Sequence, residues 1–167
     1  MEKICFYDSP AGLLRLVAED GALTGLSFVR EDAADMSRAA PVSPGSRLLA
    51  AACLQLGEYF AGRRRVFDLF LNPRGTDFQR EVWDALRAIP FGETRSYAQV
   101  AAAVGRPRAF RAVGSANNKN PVGIIIPCHR VIGADGSLVG YAAGLERKRF
   151  LLDLEAGSTI PNRERGC

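Results

Sequence analysis

The stretch SYAQVAAAVGRPRAFRAVG, residues 96–114, decides the fold of the second half of this chain. Ser96 and Gln99 have the spacing of a capping box, in which a hydroxyl and an amide each satisfy a free backbone N–H, and Val100, Ala101 and Val104 follow at helical spacing. Gly105 stops that helix, and a second starts after Pro107 with Phe110 and Val113 as its apolar residues. Two short helices joined by a tight Gly-containing turn form a helix-turn-helix pattern. The second is small on its exposed side, at Ala109, Ala112, Gly114 and Ala116, which permits close approach to a groove, and it carries Arg108 and Arg111.

Working outward, Thr76 and Gln79 repeat the capping-box spacing ahead of Phe78, Val82, Trp83 and Leu86, one face of a helix ending near Pro90. Asn72-Pro-Arg-Gly75 breaks the pattern before it and marks a boundary between residues 1–74 and 75–157, leaving 158–167 as a tail. The first half reads as strands over Lys3–Tyr7, Leu13–Glu19 and Leu23–Val29, with Asp20-Gly21 suited to a hairpin turn. A polar segment, residues 30–45, follows. The apolar residues from Leu48 to Phe60 then recur at helical spacing with Cys53 on the buried face, and Val66–Leu71 reads as a further strand. The fold class is therefore α+β, with a small antiparallel sheet and helix first and a mainly helical half second.

The 167 residues are 47% hydrophobic and 24% charged, a balance that excludes a wholly disordered chain, and they carry 22 Lys+Arg against 18 Asp+Glu, a net charge of +4. The excess is not spread evenly. Residues 1–75 hold 9 basic and 9 acidic side chains, whereas residues 76–167 hold 13 and 9. No acidic residue stands between Glu93 and Asp135, while Arg95, Arg106, Arg108, Arg111, Lys119 and Arg130 do. Such a stretch either attracts a polyanion, nucleic acid first, or is a solvated basic face. The start MEKICFYDSP lacks an apolar signal core, and no apolar run nears the roughly 18 residues of a membrane span, so a cytoplasmic protein is expected.

The four cysteines, Cys5, Cys53, Cys128 and Cys167, form no CxxC, and with one histidine in the chain neither a disulfide framework nor a zinc site is expected. Val122–Ile126 is a short apolar run that reads as a strand or extended segment buried on both sides, and it leads into Pro127-Cys128-His129-Arg130-Val131. A histidine and an arginine beside Cys128 are the surroundings that lower a thiol pKa, which makes it a candidate nucleophile. In a regular strand His129 would face away from Cys128, so either the chain turns here or a water relays the proton. A buried cysteine beside a histidine bonded to backbone is the structural alternative. A Cys-His hydrolase would need a second, distant histidine, and a metal site fails on ligand count.

Thr76, Phe78-Gln79, Val82-Trp83, Ile89-Pro90, Gly92-Glu93-Thr94, Ser96-Tyr97, Arg111-Ala-Val-Gly114, Asn120-Pro121, Pro127–Val131, Gly140-Tyr141, Gly144 and Glu155 occur in order, and together they resemble the O6-alkylguanine-DNA alkyltransferases. The resemblance implies a ribonuclease H-like N-terminal half and a winged-helix-like C-terminal half. It also implies direct-reversal DNA repair: a guanine alkylated at O6, or a thymine at O4, is flipped from duplex DNA and its alkyl group passes irreversibly, once, to Cys128. On that pattern His129 is linked to Cys128 through a water and held by Glu155. Tyr97 rotates the nucleotide and protonates the leaving base, and Asn120 is a hinge. Arg111 enters the stack from the minor groove. Ser96, Tyr97, Ala109, Ala112, Gly114 and Arg130 meet DNA, and Tyr141, Ala142, Ala143 and Gly144 line the base pocket. Plainer roles for the same side chains are core packing for Tyr97, a helix-end charge for Glu155 and a phosphate contact for Arg111.

No cofactor and no membrane are expected, and the protein is expected to be a monomer, with clustering on DNA left open. Some members bind zinc in the N-terminal half; no metal is expected here, because the sequence places no second cysteine or histidine by Cys5. Gly123 stands where some members have proline, and Ala142-Ala143 where others have Ser-Gly or Gly-Gly, which bears on pocket width. The extra domain of transcription-activating relatives is missing, so a regulatory role is not expected. A non-catalytic reader of alkylated DNA would lack the cysteine, and a plain helix-turn-helix regulator would select sequence.

Overall fold

Two residues in the left-handed region, Asp20 at φ 51° and Gly21 at φ 78°, make the hairpin turn that the Asp-Gly dipeptide predicts. The structure, a computed structural model, describes residues 2–30 and 46–157. The tail 158–167 with Cys167, and nearly all of the polar segment 30–45, lie outside the described residues. Strands β1 (Lys3–Ser9), β2 (Gly12–Glu19) and β3 (Ala22–Phe28) form an antiparallel sheet in the order β1-β2-β3, and α1 (Arg47–Phe60) packs on it. Leu14, Leu16, Leu23 and Leu26 of the sheet and Leu49, Ala52, Leu56 and Tyr59 of α1 are fully or almost fully buried.

The second half begins at α2 (Asp77–Arg87), followed by β4 (Arg95–Ser96), α3 (Tyr97–Ala103) and α4 (Phe110–Asn118). A one-turn 3₁₀ segment, Cys128–Arg130, leads into β5 (Val131–Ile132), which pairs in parallel with β4, and α5 (Leu145–Glu155) closes the fold. Both capping boxes are present: Thr76 and Gln79 at α2, Ser96 and Gln99 at α3. Trp83 is buried against α4 and its indole N–H donates to the Ala116 carbonyl at 2.9 Å. None of the described helices is long and apolar enough to cross a membrane.

Two expected strands are not strands. Over Val66–Leu71 only Leu71 bridges, in parallel, to Leu23 of β3. Gln55 of α1 takes the place of a neighbouring strand: its amide donates to the Asp68 carbonyl at 3.0 Å and accepts from the Asp68 N–H at 2.9 Å. Val66 and Phe70 are left exposed. Val122–Ile126 is likewise a tight buried turn. Ile126 N–H reaches the Val122 carbonyl at 3.0 Å, and Ile124 sits at φ 68°, a costly conformation for a β-branched residue. An apolar run reports burial, not extension, and here the side chain of Asn120 satisfies the turn at both ends, accepting from Val122 N–H at 3.0 Å and donating to the Ile126 carbonyl at 2.7 Å.

This turn also joins the halves. Leu26 of β3 receives the Gly123 N–H on its carbonyl and gives its own N–H to Pro121, each at 2.8 Å, and one hydrophobic cluster runs from the sheet to α5. Gly75 lies over the indole: a Cβ there would stand 2.4 Å from a Trp83 ring carbon and 2.6 Å from Gln79 Oε1. Gly75→Ala is expected to cost about 1–3 kcal/mol through displacement of the ring. A drop in thermal midpoint together with a shift in the emission of this single tryptophan checks it.

Candidate active site

Glu155 ends α5 inside the protein, 5% exposed, where an unpaired carboxylate would not be tolerated. Its Oε2 accepts from the Tyr59 hydroxyl at 2.6 Å, faces His129 Nε2 at 2.7 Å and accepts from an Arg130 guanidinium nitrogen at 3.0 Å, while Oε1 accepts from Arg130 Nε at 2.7 Å. The remaining Arg130 amine donates to the Ile89 carbonyl at 2.7 Å. Burial alone would raise the Glu155 carboxyl, but His129 and Arg130 outweigh it and bring its pKa down to about 2. An ionised carboxylate only accepts, so Nε2 of the ring must donate to it, and a neutral His129 then presents a lone pair at Nδ1. Nδ1 is buried and has no hydrogen-bond partner among the described residues.

Cys128 precedes that histidine in the 3₁₀ turn, so the chain does turn here. The expectation of a lowered thiol pKa is corrected. Burial pushes the Cys128 thiol up, and the groups that oppose this are the Asn120 amide, the Lys148 ammonium and the backbone N–H groups of Cys128 and His129. Arg130, the nearby arginine expected to favour the thiolate, is committed to Glu155. Lys148 was not singled out from sequence, since a lysine on a charged helix reads as solvent-facing. Its side chain is fully buried, with Nζ donating to the Val131 carbonyl at 2.6 Å and the Val139 carbonyl at 2.9 Å. The sequence likewise gives no sign of the Asn117 amide, which donates to the Cys128 carbonyl at 3.3 Å, or of the bond from the Tyr59 hydroxyl to Glu155.

Two tyrosines flank the thiol. Tyr141 has its hydroxyl against Cys128, and burial followed by that neighbour raises its pKa well above the ordinary range. Tyr97, at the start of α3, donates to the Val139 carbonyl at 2.9 Å, and burial and then Cys128 raise it too. Both phenols therefore keep their protons at neutral pH. Ala142, Ala143 and Gly144 instead line an open cleft of about 560 Å³ with Phe28, Arg30 and Arg147, which does not include Cys128. At Gly123 the N–H is bonded to Leu26 and an added Cβ would meet that carbonyl at 3.3 Å, so a proline would lose a bond that this chain uses.

On the helix-turn-helix, Ala109, Arg111, Ala112 and Gly114 lie at least partly open to solvent, and Arg111 makes no hydrogen bond or ion pair among the described residues. The Ser96 hydroxyl is engaged as the cap of α3, accepting from Gln99 N–H at 3.1 Å. Three expectations are corrected. Arg130 is 6% exposed and locked to Glu155, so it cannot meet DNA. Ala116 is buried, because its carbonyl carries the Trp83 bond on the inner face, and Phe110 is 48% exposed at the first turn of α4. Of the six cations in the acid-free stretch, Arg95 pairs with Glu93, Arg106 with Glu81 and Arg130 with Glu155, leaving Arg108, Arg111 and Lys119 on the open face.

Two family models match the chain: 6-O-methylguanine DNA methyltransferase, ribonuclease-like domain, over residues 4–73, and 6-O-methylguanine DNA methyltransferase, DNA binding domain, over residues 77–157. A methylated-DNA--protein-cysteine methyltransferase of Methanosarcina barkeri is 49% identical over 158 residues, covering 90% of this chain and 96% of its own length. One from Mycolicibacterium paratuberculosis is 51% identical over 148 residues, covering 89% and 88%. Among solved structures, Mycobacterium tuberculosis OGT in complex with DNA superposes with a TM-score of 0.84 at 46% identity, covering 95% of this chain and 96% of that one.

The Glu155 network sets an acid limit on stability. Because the folded carboxyl titrates below its ordinary value of 4.5, its contribution is complete above about pH 4.5 and is lost as pH falls through about 2. Denaturant midpoints measured across that window should fall steeply. Glu155→Gln should flatten that dependence while lowering stability at neutral pH by roughly 3–5 kcal/mol, since it leaves the buried Arg130 unpaired.

Proposed function

The chain belongs to the 6-O-methylguanine DNA methyltransferase family, and from that premise we propose that it repairs DNA by moving the alkyl group of an O6-alkylguanine onto Cys128. The observation that carries this reading is the buried run Cys128–His129 with Glu155 beside an exposed helix-turn-helix, whose Arg111 has no ion-pair partner among the described residues. Family membership supports DNA as the partner, as does the crystallised DNA complex of the mycobacterial relative.

The reaction is one in-line substitution. A thiol must lose its proton to attack, and the His129 lone pair at Nδ1 receives it through a solvent molecule, with Glu155 steadying the imidazolium. The sulfur then takes the alkyl carbon, the C–O bond breaks, and its electron pair returns to the base. Tyr97, which keeps its proton at neutral pH, supplies the leaving base with one. The thiolate that forms is supported by Asn120, by Lys148 and by two backbone N–H groups, the same groups that hold the resting thiol against the cost of burial. A thioether has no easy leaving group, so each molecule acts once.

The base leaves the duplex to be reached, at a cost of a few kcal/mol, and Arg111 entering from the minor groove fills the gap it leaves. Ala109, Ala112 and Gly114 let the backbone of α4 come close to the groove, with Ser96 and Tyr97 at its edge. Tyr141 contacts the flipped base beside Cys128. Alkylated thymine is a second substrate on the same chemistry. The 1–74 half braces this machinery, held in 75–157, and the protein acts as a monomer.

Incubation with methylguanine-containing duplex should add one methyl group to the intact protein, on Cys128, in a single burst. Cys128→Ala should show none, and sustained turnover would sink the reading. Arg111→Ala should slow transfer in duplex by roughly ten- to a hundredfold, the equivalent of one unstacked base, and much less in single strands. Equal losses in both substrates would remove the stacking role.

A further inference from the structure

Cys5 and Cys53 stand apart from the active-site network, with sulfurs 3.8 Å apart across the contact between β1 and α1. The sequence, which separates them by 48 positions, gave no sign of this pairing, and the expectation that no second cysteine lies beside Cys5 is corrected. Two thiols fall short of a zinc ligand set, and no group of three or more His, Cys, Asp or Glu side chains suited to a metal ion occurs among the described residues.

We propose that Cys5 and Cys53 are a redox dithiol that a hydroperoxide closes to a disulfide, stapling β1 to α1 while the acceptor Cys128 stays reduced. Cys53 is the half-buried member and Cys5 is 2% exposed, so oxidant reaches Cys53 first. The Cys53 sulfur attacks the terminal peroxide oxygen, giving a sulfenic acid and an alcohol or water. The Cys5 sulfur then attacks the Cys53 sulfur, and water leaves with the Cys5 proton. Two thiols are oxidised by two electrons and one peroxide bond is reduced. Closure brings the sulfurs from 3.8 Å to the roughly 2.05 Å of an S–S bond. The electrostatics agree. The hydrogen bond between the two holds Cys53 below the ordinary thiol range and Cys5 far above it, which makes Cys53 the nucleophile of the pair. Cys128, buried and with a raised pKa, is the poorer target.

The test is mild hydrogen peroxide treatment of the full protein, followed by tryptic mapping without reduction. Peptides Ile4–Arg15 and Leu48–Arg63 should appear joined, with loss of two hydrogens, and should separate with dithiothreitol. Unfolding should shift upward by roughly 10 °C, as expected for closing a loop of this length. The treated protein should still accept a full equivalent of methyl from DNA. Cys5→Ala and Cys53→Ala should each abolish the linked species and the shift while leaving methyl transfer intact. Both thiols remaining free, Cys53 linking to Cys167 or passing to sulfinic acid, or Cys128 being consumed first would each overturn the proposal. None of these outcomes bears on the alkyl-transfer reading, which is read on untreated protein.

Discussion

The carboxylate of Glu155 is the point on which the two halves and the active site all close. Four donor contacts converge on its two oxygens, from Tyr59 of α1, from His129 and twice from Arg130. Arg130 in turn holds the Ile89 carbonyl just beyond α2. A buried ion is tolerated only when such partners surround it, and satisfying them here requires α1, α5, the 3₁₀ turn and the end of α2 to sit in one arrangement. The same constraint orients the histidine. With Nε2 committed to the carboxylate, Nδ1 is the nitrogen that keeps its lone pair in a neutral ring, so the network that stabilises the fold also selects the tautomer.

The nucleophile is built by a different balance. Cys128 is placed at the end of a buried turn, where desolvation works against the thiolate, and Asn120, Lys148 and backbone N–H groups work for it. A resting thiol kept protonated suits a residue that can be used only once, because a free thiolate would react with any electrophile that reached it. Lys148 and Tyr97 also meet at the Val139 carbonyl, which links the cation near the sulfur to the phenol beside it. The strained Ile124 and the clasp made by Asn120 are the backbone cost of bringing the chain round to this point.

The exposed surface is sparer in charge than the run of arginines and lysine suggests. Three of the six cations between Glu93 and Asp135 are tied to carboxylates, and the ones left open, Arg108, Arg111 and Lys119, stand on or beside α4 with the exposed Phe110. A short helix with few unpaired cations and small neighbours is suited to close approach rather than to long-range attraction.

Much of this was legible in the residues. The capping boxes at Thr76 and Ser96, the Asp20-Gly21 turn and the periods of α1 and α2 are local signals, since each depends on atoms a few residues apart. The ordered motifs around Cys128 carried the resemblance, and with it the contact between His129 and Glu155 that the fold makes. Four decisions belonged to the tertiary structure. Val66–Leu71 and Val122–Ile126 read as strands because burial and extension leave the same apolar mark, and only the side chains of Gln55 and Asn120 decided otherwise. Arg130 read as a DNA contact because a charge near a site carries no sign of which carboxylate will reach it. Nothing local to Lys148 signals that the fold closes over it. Cys5 and Cys53 meet only because α1 packs on β1. Local chemistry is written in neighbouring residues, whereas the partner of a buried charge or thiol is set by packing between segments far apart in the chain.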